Sequence, residues 1–507
     1  MQEETSEIVK TPPYEISKIK NNIGKFIEEV VYRYHKRHIK SEKLIHGPLW
    51  GTAVLRDHEI AILDLPLIQR LRQIHQTSLS YLTYPAATHS RFEHTLGVLI
   101  QADKLINSLR FWPENRELLS ETKLNARTNI RLASILHDCG HGPLSHASEE
   151  IYQFCDDMQA LTGNGGPYEG NHPHEVLAHL IITHEKFRGY IKEIETEYDF
   201  VCDLDKIADS IIGKSKDDEK YMTQIVNGPF DADKIDYIFR DSHFSGLPLV
   251  LDLERLWYSI TIDTVKKKKI LVVKKNGMSP LEQILFCKIM LFSTIYHHPK
   301  VRATDCMFKG VIEYIRNHGL MLKDKKLNNA TDFLWVTDNT FFSKAETTND
   351  KKLHDMIHSI MYRRLFLRAL TISIDTIEEN TFGEYKEFQQ LDQRKKYNYD
   401  ALRKIAEQIW KAAKQPCLKE EVWVDIPSFP STKETDDTFI QCPSGYKVLT
   451  DFFPSQEWIK NYIYHKWKAH VFCPATCQKE ISKAAKDVLQ SEFKFKFNDL
   501  AQKSCHI

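Results

Sequence analysis

His and Asp, the side chains that borderline and hard divalent metals accept, recur at separated points in one half of this chain. They are His94 in Ser90-Arg-Phe-Glu-His94, the doublet His137-Asp138, His141 and His146 just after it, and Asp233 in Asp231-Ala-Asp-Lys-Ile-Asp-Tyr237. Any one of these histidines could cap a helix or satisfy a carbonyl. Together they are harder to place structurally, because the run from Leu132 to His146 sets titratable groups among Leu, Ile and Ala, where a buried polar group needs a partner or an ion. Spacing alone leaves a metal site and a set of structural histidines equally open.

The elements that must position these groups are helical. From Asp57 to Glu254 the apolar residues recur at intervals of three and four, as in Leu96, Leu99, Ile100 and Leu105 and again in Ile130, Leu132, Ile135 and Leu136. Neighbours on a helix project about 100° apart, so His137 and Asp138 reach one ion only where the helix ends. Gly140, Gly142 and Pro143 supply that ending, with a turn that presents His141 and His146 to the same cavity. Upstream, Asp64-Leu-Pro-Leu-Ile-Gln69-Arg-Leu-Arg72 reads as a helix opened by an Asp cap, with Leu65, Ile68 and Leu71 inward and both arginines outside.

In this order and spacing, Ser90-Arg-Phe-Glu-His94, His137-Asp138-x-Gly-His141-Gly-Pro-x-Ser-His146, His174-Glu175 and Asp231-x-Asp-Lys-x-Asp-Tyr-x-x-Arg-Asp241 resemble the signatures of the HD-domain metallophosphohydrolases. Within them the set is most similar to the dNTP triphosphohydrolases, including those that join a sterile alpha motif to the HD domain. The resemblance runs from about Lys43 to Asp305. It implies that His94, His137, Asp138 and Asp233 hold one divalent metal (Mn, Fe, Zn or Mg), with a second Mg2+ arriving on the nucleotide. His146, His174 and His141 then serve catalysis. Arg91 and Lys234 meet the phosphates, Tyr237 offers a face to sugar or base, Gln76 and Asp241 meet the 3′-hydroxyl, and Tyr296 crowds the 2′ position. Lys43, Asp64, Gln69 and Arg72 match residues that grip an activator nucleotide, GTP or a dNTP, at a subunit interface. Gly47-Pro48 stands where the family has Asp-Pro near that lysine. A homo-oligomer, dimer to tetramer, is implied with them.

Taken from the residues themselves, Asp231 and Asp236 read as helix caps or surface charges, and Glu149 and Glu175 either orient an imidazole or lie on a solvated face. Tyr237 and Tyr296 fit core positions as well as a site. The competing functions are hydrolysis of nucleoside monophosphates or signalling nucleotides by the same fold, and a nucleic-acid-binding or nuclease role.

The chain has 507 residues, 42% of them hydrophobic, with 69 Lys and Arg against 69 Asp and Glu. That balance removes bulk charge as a reason to bind nucleic acid or a membrane surface and leaves room for a local basic pocket. Because there is no apolar run of membrane-spanning length and the first ten residues are polar, a cytoplasmic protein is expected. The 10 cysteines are scattered and read as free thiols; Cys473 and Cys477 lack a second pair at zinc-finger spacing before Cys505 and His506.

The expected fold is mainly α. It comprises an N-terminal helical arm (1–42) too short for a complete sterile alpha motif domain, a helical HD core (43–320) and a mixed α+β C-terminal region (321–507) whose role the sequence leaves unassigned. Two β-rich runs flanked by lysines predict a charged hairpin at about 258–277, its lysines guarding an edge strand. Helical periodicity is expected from Leu281 to Leu320 and from Lys352 to about Ile374, with strands and loops over 420–450.

Overall fold

The computed structural model describes residues 13–32, 41–116, 124–389, 399–428 and 433–503. Cys505 and His506 lie outside the described residues. The first helix, α1 (Pro13–Ile27), runs into a π turn (Glu28–Tyr32). It buries Ile19, Ile23, Phe26, Ile27 and Val31 in the main core, so the apolar rhythm of the N-terminal segment packs on the body. Phe26 meets Trp335 edge-on, with centroids 5.3 Å apart.

A two-stranded antiparallel hairpin, β1 (Lys43–Gly47) and β2 (Gly51–Leu55), precedes α2 (Asp57–Leu63). The site-bearing helices come next: α3 (Arg91–Phe111), α4 (Leu124–Leu136), α5 (His146–Tyr152), α6 (Pro173–Thr183) and α7 (Ala232–Ser245). Their ends are set by local chemistry. Ser90 and Glu93 form a reciprocal capping box at the start of α3, Asp231 accepts from the Lys234 amide at the start of α7, and Gly246 closes α7 in the left-handed region.

Two glycines set how closely these helices approach. A Cβ on Gly97 of α3 would lie 1.8 Å from Oδ1 of Asp236 on α7, and one on Gly140 would lie 2.0 Å from the His174 carbonyl on α6. Both contacts carry site residues, so the missing side chains bring the site together.

The hairpin expected near 258–277 is β3 (Ile260–Val265) with β4 (Lys268–Lys274), in a four-stranded sheet of order β3-β4-β7-β8 whose other strands are β7 (Phe439–Cys442) and β8 (Gly445–Val448). β3 is an edge strand, and Lys268 pairs with Asp217, in keeping with a solvated hairpin. Next come α8 (Met278–Leu291), a second π turn (Phe292–Tyr296) and α9 (Pro299–Asn317). The stretch Lys275–Tyr296 is the one among the described residues long and apolar enough to cross a membrane, and 50% of its apolar window is buried inside the fold.

The expected helix to Ile374 is shorter than its periodicity suggests. The helix over Lys351–Met361 stops before Arg363, whose φ of 57° is left-handed, and Leu367–Ile372 is strand β5. β5 lies in a buried sheet of order β5-β9-β6, with β6 at Trp423–Asp425 and β9 at Ala469–Cys473. Helices Tyr399–Ala412 and Gln478–Phe493 cover that sheet, which builds a second hydrophobic cluster around Leu370, Val471 and Phe495. β7 (Phe439–Cys442) and β8 (Gly445–Val448) return to β4 instead, so the C-terminal region reaches back to the helical core.

Candidate active site

Two groups of chelating side chains face each other where α3, α4, α5, α6 and α7 meet. In the first, Nε2 of His94 lies 2.9 Å from Oδ1 of Asp233, 3.4 Å from Nε2 of His137 and 3.8 Å from Oδ2 of Asp138. Nε2 of His137 lies 3.4 Å from Oδ1 of Asp138. The other ring nitrogens are engaged: Nδ1 of His94 contacts Oδ2 of Asp236 at 2.7 Å, and Nδ1 of His137 contacts the Ser134 carbonyl at 2.8 Å.

A carbonyl can only accept, so Nδ1 of His137 carries the proton and its Nε2 presents a lone pair in the neutral ring. Donor atoms of His94, His137 and Asp233 lie within 4.8 Å of one another, and Asp138, which clusters with His141 and His174, also borders both imidazoles; together they form a donor set that suits a divalent cation. Burial opposes charge on His94, yet Asp233 and Asp236 outweigh it and push the imidazole up to about 10. Local negative charge of that size favours a cation at Nε2.

The second group is His141, His146, His174 and Glu149. The rings of His141 and His174 stack with centroids 3.9 Å apart. Glu149 receives Nδ1 of His146 at 2.7 Å on one oxygen and Nδ1 of His174 at 2.9 Å on the other. Burial alone would neutralise this carboxyl, but the two imidazoles hold it well below the usual range. Burial likewise opposes a charged His174, whereas Glu149 pushes it up to about 9. His141, fully enclosed and beside Arg91, is held well below the ordinary imidazole value.

Asp138 and Arg91 join the groups. Asp138 lies 3.3 Å from Nε2 of His141 and accepts from the Arg91 guanidinium at 2.8 Å, while the other Arg91 nitrogen lies 3.3 Å from Nε2 of His146. The loop between α4 and α5 is held in an unusual backbone, with Leu144 at φ 53° and Ser145 at φ 51°. Arg91 donates to the Ser145 hydroxyl, and Asp338, some 190 residues downstream, accepts from the Leu144 amide and from His75.

Around this centre, Asp241 accepts from the Tyr296 hydroxyl and lies 2.8 Å from Nε2 of His89. The buried Gln76 bonds the His89 carbonyl through its backbone, and its Oε1 has no partner among the described residues. Lys234 is turned to the start of its own helix, against Asp231 and the Gly228 carbonyl, and Tyr237 is partly buried nearby. Lys43 lies 3.9 Å from Asp64, and Arg72 donates to Gln69 and covers the Phe92 ring. Lys43 thus pairs with Asp64 and Arg72 with Gln69, two contacts near the end of α2.

Three readings of the residues change. Asp236 is fully buried and orients His94, with Arg240 neutralising it; Asp231 is the helix cap. Arg70 turns inward and donates to the carbonyls of Cys139 and His141, so it braces the loop after the His-Asp doublet. Leu65 and not Asp64 is the residue before the first helical turn at Pro66. Of the two glutamates, Glu149 orients imidazoles, while Glu175 closes the start of α6 on the His172 amide.

A model of the HD domain matches residues 91–240, the span that holds both groups. Residues 91–240 carry an HD domain. The model of an HD associated region matches residues 251–496, which covers most of the chain beyond α7. An uncharacterized protein of Methanocaldococcus jannaschii is 28% identical over 87% of this chain and 81% of its own length. The deoxynucleoside triphosphate triphosphohydrolase SAMHD1 of Homo sapiens is 27% identical over 66% of this chain. A Dictyostelium discoideum homolog of that enzyme is 28% identical over 67%. This chain spans 56% of the length of the human protein and 62% of the Dictyostelium one. The HD domain, its donor cluster and these relatives support a phosphohydrolase.

Proposed function

We propose that this protein hydrolyses deoxynucleoside triphosphates to deoxynucleoside and inorganic triphosphate, with His94, His137, Asp138 and Asp233 holding the divalent metal. The observation that carries the reading is the pairing of a cation-binding donor set with a proton-bearing histidine group across Arg91. Relatives named as dNTP triphosphohydrolases support the substrate class. When bound, the metal supplies Lewis acidity to the α-phosphate and to the attacking water.

The chain's own groups do the rest. Arg91 is fixed between Asp138 and His146, so its fork offers charge to phosphate oxygens. Glu149 keeps a proton on His174, which can pass it to the departing triphosphate oxygen. Tyr296 and His89 hold the Asp241 carboxylate, and the unpartnered Gln76 oxygen completes a polar wall for the sugar. Tyr296 beside Asp241 excludes a 2′-hydroxyl. Lys43, Asp64, Gln69 and Arg72 bind an activating GTP or dNTP in a homo-oligomer.

Chromatography of products from each dNTP, each NTP and each dNMP, alone and in pairs with GTP, tests this. Triphosphate and deoxynucleoside from dNTPs are expected. Orthophosphate from monophosphates alone would contradict the reading.

A further inference from the structure

A cavity of about 230 Å³ opens between the second π turn with the start of α9 and a C-terminal stretch formed by Tyr462 and residues 466–470. Its lining includes Lys466, Lys468, His297 and His470, with Phe292 and Tyr462 among its apolar and aromatic walls, and no acidic side chain among the described residues. His470, on β9, is 1% exposed; its Nδ1 lies 3.4 Å from the Thr371 hydroxyl, and its Nε2 has no partner among the described residues. A buried polar atom left unpaired beside a cavity calls for a ligand or water to meet it.

The carboxylate that acts on both histidines, Asp425, is already paired with Arg302 at 2.6 Å. Burial pushes His297 down to about 4 and His470 down to about 3, with Arg302 adding to both. Both histidines are therefore neutral, and the positive charge of the lining is that of Lys466 and Lys468, with no acidic side chain in the lining among the described residues.

We propose that this cavity binds a small organic anion, a carboxylate or phosphomonoester on a flat apolar body. The lysines at the mouth and the Nε2–H of His470, whose Nδ1 accepts from the Thr371 hydroxyl, meet the anionic end, and the rings of Phe292 and Tyr462 cover the body. The volume is below the usual range for drug-sized ligands, which fits a single ring with its anionic group. The π turn lining the cavity ends at Tyr296, whose hydroxyl donates to Asp241. π turns concentrate at functional sites, and this one joins the cavity wall at Phe292 and Ser293 to Tyr296 of the proposed sugar wall, so a bound anion should be felt there. That consequence rests on the proposed function, whereas binding does not.

Calorimetric titration of the full chain with phenyl phosphate, benzoate and neutral phenol tests the site without needing turnover. Saturable binding of one or both anions is expected, and comparing them tells which end group is preferred. A Lys466→Ala/Lys468→Ala variant, altered only at exposed residues, should bind about tenfold more weakly while Arg91→Ala binds normally. The proposal is overturned by failure of both anions to bind, by phenol binding as tightly, by unchanged affinity in the double lysine variant, or by loss of binding in Arg91→Ala.

Discussion

The two histidine groups are built from the same residue types and are joined through Asp138 and Arg91, yet their hydrogen bonds set their ring nitrogens differently. In the His94/His137 group the Nδ1 atoms are tied to Asp236 and to the Ser134 carbonyl, and the Nε2 atoms face each other and two carboxylates. In the His146/His174 group both Nδ1 atoms share a single carboxylate, Glu149. His146 leaves 64% of its side chain exposed, whereas His94 is fully enclosed. What surrounds the Nδ1 atom therefore separates the proposed cation holder from the proposed proton carrier.

The comparison breaks first at the metal ligands. His137→Ala should abolish metal binding and lower triphosphate release by roughly a thousandfold or more; circular dichroism should show the fold retained. A variant that keeps its metal would remove His137 from the ligand set.

Glu149→Gln is the corresponding cut in the second group, and it should lower kcat by about a hundredfold with metal content unchanged. Its pH dependence carries a sign. His174 has a raised value in the folded protein, so its proton is present below about 9 and is lost as pH rises through that value. The parent's alkaline limb should fall near there, and in Glu149→Gln it should move down toward the ordinary imidazole value of about 6.5. An unmoved limb would separate His174 from proton transfer.

Asp236→Asn sharpens the contrast without touching a ligand. It leaves Nε2 of His94 in place but weakens the partner that orients the ring, so metal affinity should drop about 10- to 100-fold, read by competition with a chelator. The smallest effect is expected at Tyr296. Tyr296→Ala should raise NTP turnover relative to dNTP by about tenfold, and equal discrimination in both proteins would contradict its role at the 2′ position.

The sequence made the histidines and the helical frame legible, since apolar residues at intervals of three and four mark buried faces and the His-Asp doublet falls where a helix must end. Asp236 was not legible as a site residue, although its neighbours held a signal. Arg240 comes one helical turn after it and Gly97 nearly one after His94, which together mark an inward ion pair against a close helix crossing. Arg70 resembles a surface charge in sequence because its carbonyl partners at Cys139 and His141 lie about 70 residues away. Asp338 offered no local sign at all, since its work is to hold the Leu144–Ser145 backbone across the fold. Strand β5 carries a helical period in its residues, but its partner strand β9 is about 100 residues downstream, and pairing, not local period, decides its form.

The central claim is that the His94/His137/Asp138/Asp233 set holds the metal on which dNTP hydrolysis depends. Elemental analysis of the purified chain, with triphosphate release measured before and after chelation and again on adding back divalent metal, tests it most directly, using Asp138→Ala alongside. The account predicts bound metal and dNTP turnover that vanish together on chelation, return together on adding metal to the parent, and do not return in Asp138→Ala. Full turnover from metal-stripped protein, or an Asp138→Ala variant that retains both metal and activity, would contradict it.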